Sequence, residues 1–103
     1  EQARETVSKK DALMRLMDNA DYKVVFTEGY FKEEAARLVQ LRGDPEFDDI
    51  KAQQSIEKSI IGVGSTYNYL RTIIQLGRMA EKAMIAAEAE RELMAEEEYA
   101  EVA

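Results

Sequence analysis

Apolar side chains return along this chain at spacings of three and four, the period of one face of an α-helix. The most regular set is Ile56, Ile60, Val63, Tyr67, Leu70, Ile74 and Gly77. Its unbroken alternation of fours and threes predicts a core-facing stripe on one long helix over 49–87. A second stripe lies beside it: Ala52, Ser55, Ser59, Gly62, Thr66, Tyr69, Ile73, Leu76, Ala80, Ala83 and Ala87. Its first five members are small, and small side chains let another helix approach closely. Ser55, Ser59, Gly62 and Thr66 are therefore expected close-packing positions. Gly62-Val63-Gly64-Ser65 also admits a loop, with Ser65 capping a new helix. The heptad phase is kept through the glycines, which favours a continuous or merely kinked helix.

Two shorter elements precede it. Ser8-Lys9-Lys10-Asp11 has capping-box-like spacing ahead of Leu13, Leu16, Met17 and Ala20, predicting a helix over 9–19. Asp21 is placed to cap a second over 22–42, carried by Tyr22, Val25, Phe26 and Tyr30, then Ala35, Leu38, Val39 and Leu41. Residues 23–27 are β-prone and Gly29 follows, so a short strand and turn is the alternative there. Gly43 stands where a helix-ending glycine belongs, and Asp44-Pro45 does not continue a helix.

The expected architecture is all-α: two short helices packed on one long, continuous or kinked helix. Residues 1–87 form the helical domain and 88–103 an acidic helix end or tail. A helix from 49 to about 95 would be ~70 Å long at 1.5 Å per residue, and the two short helices laid end to end would cover about two-thirds of it. Tyr69, Ile73, Leu76, Met79, Ala80, Ala83, Met84 and Ala87 are accordingly expected to need a partner outside the chain. Self-association into a helical bundle is the simplest supply.

Composition narrows the chemistry. The 103 residues include no Cys, His or Trp, which removes zinc fingers, Cys/His nucleophile pairs, Ser-His-Asp triads and disulfides. Fourteen Lys+Arg against 21 Asp+Glu give a net charge of −7. Seven Glu and one Arg fall within 88–103, so the first 87 residues are almost neutral. A net-acidic chain argues against direct binding to a nucleic-acid backbone. No run is long and apolar enough to span a membrane, and no secretory pattern is present.

The remaining constellations are few. Gly62-Val63-Gly64-Ser65-Thr66 has the glycines of a phosphate-binding turn but no P-loop Lys, no third glycine in register and no strand upstream. Asp18-x-x-Asp21 and Glu46-x-x-Asp49 are similar to the paired carboxylates with which all-α nucleotide pyrophosphohydrolases hold magnesium. Helix capping explains the second pair more simply. Arg71 and Arg78, seven apart beside Tyr67, Asn68 and Gln75, offer a polar patch for an anionic ligand, or bundle-edge cations facing acids of a neighbour. No catalytic, cofactor or metal residue is assigned. The acidic segment is a solvated helix end, or an arm for a basic partner surface.

The stretch 21–38, with Asp21-Tyr22-Lys23-Val24-Val25-Phe26-Thr27-Glu28-Gly29-Tyr30-Phe31, resembles small all-helical proteins of tailed bacteriophages. So does 67–81, with Tyr67-Asn68-Tyr69-Leu70-Arg71. The resemblance spans about residues 11–87 and carries no catalytic motif. It implies a minor virion or assembly component, located in the virion or host cytoplasm and contacting copies of itself or other phage proteins. It also implies the alternative of an accessory factor that binds a host or phage protein. Glu1 in place of an initiator Met would then fit processing during head maturation. The functional expectation is a non-enzymatic structural or adaptor protein without a cofactor. The host-protein inhibitor and the magnesium pyrophosphohydrolase are the alternatives.

Overall fold

The computed structural model describes residues 1–102. Helix α1 spans Gln2–Met17 and α2 is a single turn, Ala20–Tyr22, that runs directly into a π-helix over Lys23–Glu34 and then α3 over Ala35–Arg42. A 3₁₀ turn, Pro45–Phe47, leads to α4, Ile50–Val102. No strand occurs among the described residues. The chain is all-α, with the shorter helices packed on a long C-terminal one.

Helix α1 starts well before the expected residue 9. Gln2, Ala3, Arg4 and Glu5 are good or neutral helix formers, and the Thr6 hydroxyl donates back to the Gln2 carbonyl at 2.8 Å. Ser8 therefore sits inside a helix and caps nothing. The second cap is also displaced by two residues. The Asn19 side chain, not Asp21, accepts from the backbone N–H groups of Asp21 and Tyr22 at 2.9 and 3.2 Å.

The β-prone stretch forms neither strand nor α-helix. It is wound wider, with i to i+5 bonding, for twelve residues, long for a π-helix. Gly29 suits this geometry, because a Cβ there would lie 2.9 Å from the Val24 carbonyl oxygen one π-turn back. More than four residues per turn also bring side chains four and five apart into line. Tyr22 stacks on Phe26 with ring centroids 5.2 Å apart, and Phe26 meets Phe31 at 6.5 Å. Gly43 ends α3 as expected, though at φ −92° rather than in the left-handed region. Asp44 caps the 3₁₀ turn and Asp49 caps α4, donated to by Glu46 N–H at 2.9 Å and Ala52 N–H at 3.1 Å.

Helix α4 passes through Gly62 and Gly64 without interruption and continues beyond residue 87 to Val102, so residues 88–102 of the acidic segment are helix, and Ala103 lies outside the described residues. Its 53 residues correspond to about 80 Å at 1.5 Å each, matching the long axis of a molecule measuring 82 × 29 × 18 Å.

The core is small. Leu38 of α3, Ile56 and Val63 of α4 are buried together, with Tyr30, Phe31, Ala35, Leu41 and Ile60 packed around them, and Leu13 of α1 is buried separately. From Ile56 to Gly77 the first stripe faces inward except Tyr67, which is 52% exposed. Helix α1 runs antiparallel to the middle of α4, along residues 70–87. Met17 lies by Leu70 and Ile74, Lys10 by Gly77 and Glu81, and Ala3 by Met84 and Ala87. Among the described residues no helix is long and apolar enough to cross a membrane.

Candidate functional site

The tightest contact between α1 and α4 is at Gly77, where a Cβ would come within 2.3 Å of Lys10 Cβ and within 2.8 Å of its Cδ. Only a glycine lets the Lys10 stem cross here. That stem is buried while its ammonium reaches out to donate to Glu81 Oε2 at 2.9 Å and to approach Asp11 Oδ1 at 3.3 Å. The Glu81 hydrogen bond raises the Lys10 pKa against the opposing pull of desolvation, with Asp11 adding to the rise. Lys10 is thus a structural clamp, with its charge answered inside the chain. Sequence reasoning missed it, since a lysine scores as polar whatever its stem does.

Between the C-terminal end of α1, the π-helix and the middle of α4 lies a half-open pocket of about 250 Å³. Met17, Tyr22, Phe31, Tyr67, Leu70 and Ile74 make it mostly apolar, with Thr27 and Arg71 as exposed polar members. The rings of Tyr22, Phe26, Tyr30, Phe31 and Tyr67 form a chain of neighbours, each link 5.2–6.5 Å between centroids, of which Tyr22, Phe31 and Tyr67 line the pocket. Burial pushes the Tyr22 phenol above its ordinary pKa. Two members of the predicted polar patch, Tyr67 and Arg71, therefore meet in one pocket. Neither Arg71 nor Arg78 has an ion-pair partner within 4.0 Å among the described residues. Two other arginines differ: Arg37 is held by both oxygens of Glu34 at 2.7 Å, which lowers the Glu34 pKa, and Arg42 lies 3.8 Å from Glu57.

The expected interface residues divide. Ile73 and Ala80 are half-buried against the chain's own α1, and the Lys9 ammonium lies 5.6 Å from the Tyr69 ring centre. Tyr69 and Leu76 border a surface groove with Thr6 and Lys9, while Met84 and Ala87 border another with Ala3 and Arg4. The extra turns at the start of α1 supply this cover, so these residues do not all require an outside partner. Met79, 67% exposed, and Ala83 stay open. Of the close-packing candidates, Gly62 faces the Tyr30 hydroxyl, 4.0 Å from where a Cβ would be, and Thr66 is half-buried. Ser55 and Ser59 are exposed.

The phosphate-turn reading of 62–66 loses its basis. These residues are in mid-helix, where backbone N–H groups are already committed to the helix, and the Thr66 hydroxyl donates to the Gly62 carbonyl at 2.8 Å. The four carboxylates of the magnesium pattern also stay apart. Asp18 ends α1 and lies 3.7 Å from the Lys23 ammonium, whereas Asp49 caps α4. Since Met17 packs at the level of Leu70, some twenty residues along α4 from Asp49, the two pairs are separated by about 30 Å. No group of three potential ligands converges among the described residues. No protein-family model, curated protein or solved structure shows a significant match to the chain.

Proposed function

We propose that this chain is a non-enzymatic structural or adaptor protein that works by helix–helix contact, its uncovered α4 surface packing on further helices in an assembly. The observation that carries this is the surface it leaves open. A compact monomer of this 11.7 kDa mass would expose about 5,900 Å², and this one exposes 8376 Å². The radius of gyration is 22.6 Å, against about 13 Å for a compact domain of this length. The excess, roughly 2,500 Å², exceeds the ~800 Å² per partner of a standard protein interface. It includes large apolar side chains that a soluble monomer gains nothing by presenting: Ile61, Met79, Ile85, Leu93 and Met94.

On the resemblance of its sequence to tailed-phage proteins, we read such an assembly as part of a virion or of head or tail construction. A second reading draws on the acidic end of α4, whose residues from 88 onward are exposed in a continuous helix. Such an arm fits an accessory protein that occludes a basic surface on a host protein. Sedimentation of the purified chain, followed by co-purification from infected cells, tests both. Self-assembly and capture of particle proteins support the structural role; a strict monomer that captures one host protein overturns it in favour of the inhibitor.

A further inference from the structure

Charge is segregated along α4. Between 50 and 82 it carries five basic and two acidic residues; between 83 and 102 it carries seven Glu and one Arg. Both acids of the first stretch are already engaged, Glu57 near Arg42 and Glu81 with Lys10, while Arg78 and Lys82 are exposed without an ion-pair partner among the described residues. At 100° per residue, Thr72, Met79, Ala83, Ala86, Glu90 and Leu93 share one exposed side of the helix, away from the stripe that faces the other elements. Arg78, Lys82, Ala89 and Glu96 run along one flank of that side.

We propose that a second copy of this chain occupies this side, with the two α4 helices antiparallel and related by a twofold axis near Ala86. A parallel pair would set the glutamate-rich ends against each other. The antiparallel pair sets each against the other's basic stretch. In this register Ala86 meets Ala86 of the partner subunit, small against small at the axis, and Met79 meets Leu93 of the partner subunit. Lys82 comes level with the partner's Glu90, and Arg78 lies within two residues of the level of the partner's Glu96, a set of ion pairs repeated by symmetry. This surface is part of the roughly 2,500 Å² of excess exposure and continuous over about 30 Å of helix from Thr72 to Leu93. This inference rests on the assembly reading and adds the partner's identity, direction and register.

The chain contains no Cys, so introduced thiols report without background. Met79→Cys and Leu93→Cys chains are prepared separately and mixed, then treated with a short bismaleimide. Antiparallel pairing gives a mixed 79–93 crosslink and none when either chain is treated alone. Self-links from each single variant would mean parallel pairing and overturn the register while leaving self-assembly intact. A dimer that yields no crosslink in any mixture would also overturn it. A wild-type chain that sediments as a monomer at about 100 µM would overturn both this inference and the self-assembly on which it rests. Independently, Arg78→Glu with Lys82→Glu raises the dimer Kd about tenfold or more at low salt. Adding Glu90→Lys and Glu96→Lys in the same chain restores it. Circular dichroism confirms that each variant retains its helix. Restoration by the compensating pair is the result that a merely structural role for the four side chains does not produce.

Discussion

Two glycines of α4 expose the same substitution to opposite forces. At Gly64 a Cβ would meet nothing within 4 Å. Gly64→Ala should therefore gain the helix propensity of alanine over glycine, about 0.8–1 kcal/mol, and little else. At Gly77 the same methyl would land 2.3 Å from Lys10 Cβ, where ordinary carbon contacts lie at about 3.5–4.0 Å. The obstructing atom is at the root of the lysine, not at its flexible end, so α1 itself must move by more than an ångström. Overpacking of this kind costs about 1–3 kcal/mol. The displacement also lengthens the Lys10–Glu81 contact, so Gly77→Ala should end about 1–3 kcal/mol less stable than Gly64→Ala. Urea unfolding at one protein concentration, followed by helical circular dichroism, measures both. A gap of 1 kcal/mol corresponds to roughly 4–8 °C in Tm for a domain of this size. Equal stabilisation by the two substitutions would refute the close crossing and with it the placement of α1 on α4.

Three further outcomes follow from the packing. Leu38, 3% exposed at the centre of the small core, should lose about 2–5 kcal/mol on replacement by alanine, a large share of the whole stability of a chain this lightly buried. Lys10→Met should preserve the stem on Gly77 while removing the ammonium, and so lower the urea midpoint less than Lys10→Ala. The ammonium also sets an alkaline limit. Because Lys10 has a raised folded-state pKa, its contribution is fully present below the ordinary lysine value and fades as pH climbs above it. Tyr22, raised by burial, acts in the same direction, since the unfolded chain ionises first. The midpoint should therefore decline above about pH 10, and less steeply in Lys10→Met. Gly29→Ala should press a Cβ against the Val24 carbonyl and shift the π-helix toward α-helical pairing. Chemical-shift changes at the amides of 24–34 would record this; an unaltered spectrum there would contradict the wide winding.

The parts of the architecture that periodicity encodes were legible in the residues. The inward stripe on α4, the stop at Gly43 and Pro45, and continuity through Gly62 and Gly64 all follow from phase and turn chemistry. What was not legible involves side chains that act against type. Lys10 is buried by its methylenes, and Gly77, read as one member of a stripe, is the crossing point that the lysine requires. Residues 2–7 carry no cap or strong apolar period, so the extent of α1 is set by its packing on Met84 and Ala87. The π-helix has a period outside the usual helix and strand templates, and its Val-Val-Phe-Thr composition favours strands in isolation. The apolar pocket draws on Met17, Phe31 and Leu70, from three elements, and no local pattern joins them. Arg71 and Tyr67 were the exception, because they lie one turn apart on the same helix.

The uninterrupted winding of α4 also ties angle to length. One residue inserted between Ala89 and Arg91 would advance the far end by 1.5 Å but swing every later side chain through about 100° around the axis. Leu93 would turn off its present side, and the glutamates would point in new directions relative to α1 and α3. Insertion of seven residues would lengthen the arm by about 10 Å and return the side chains to within about 20° of their starting azimuth. Length variation in this segment is therefore tolerated in whole heptads, and each heptad changes the reach of the molecule while keeping its bearing.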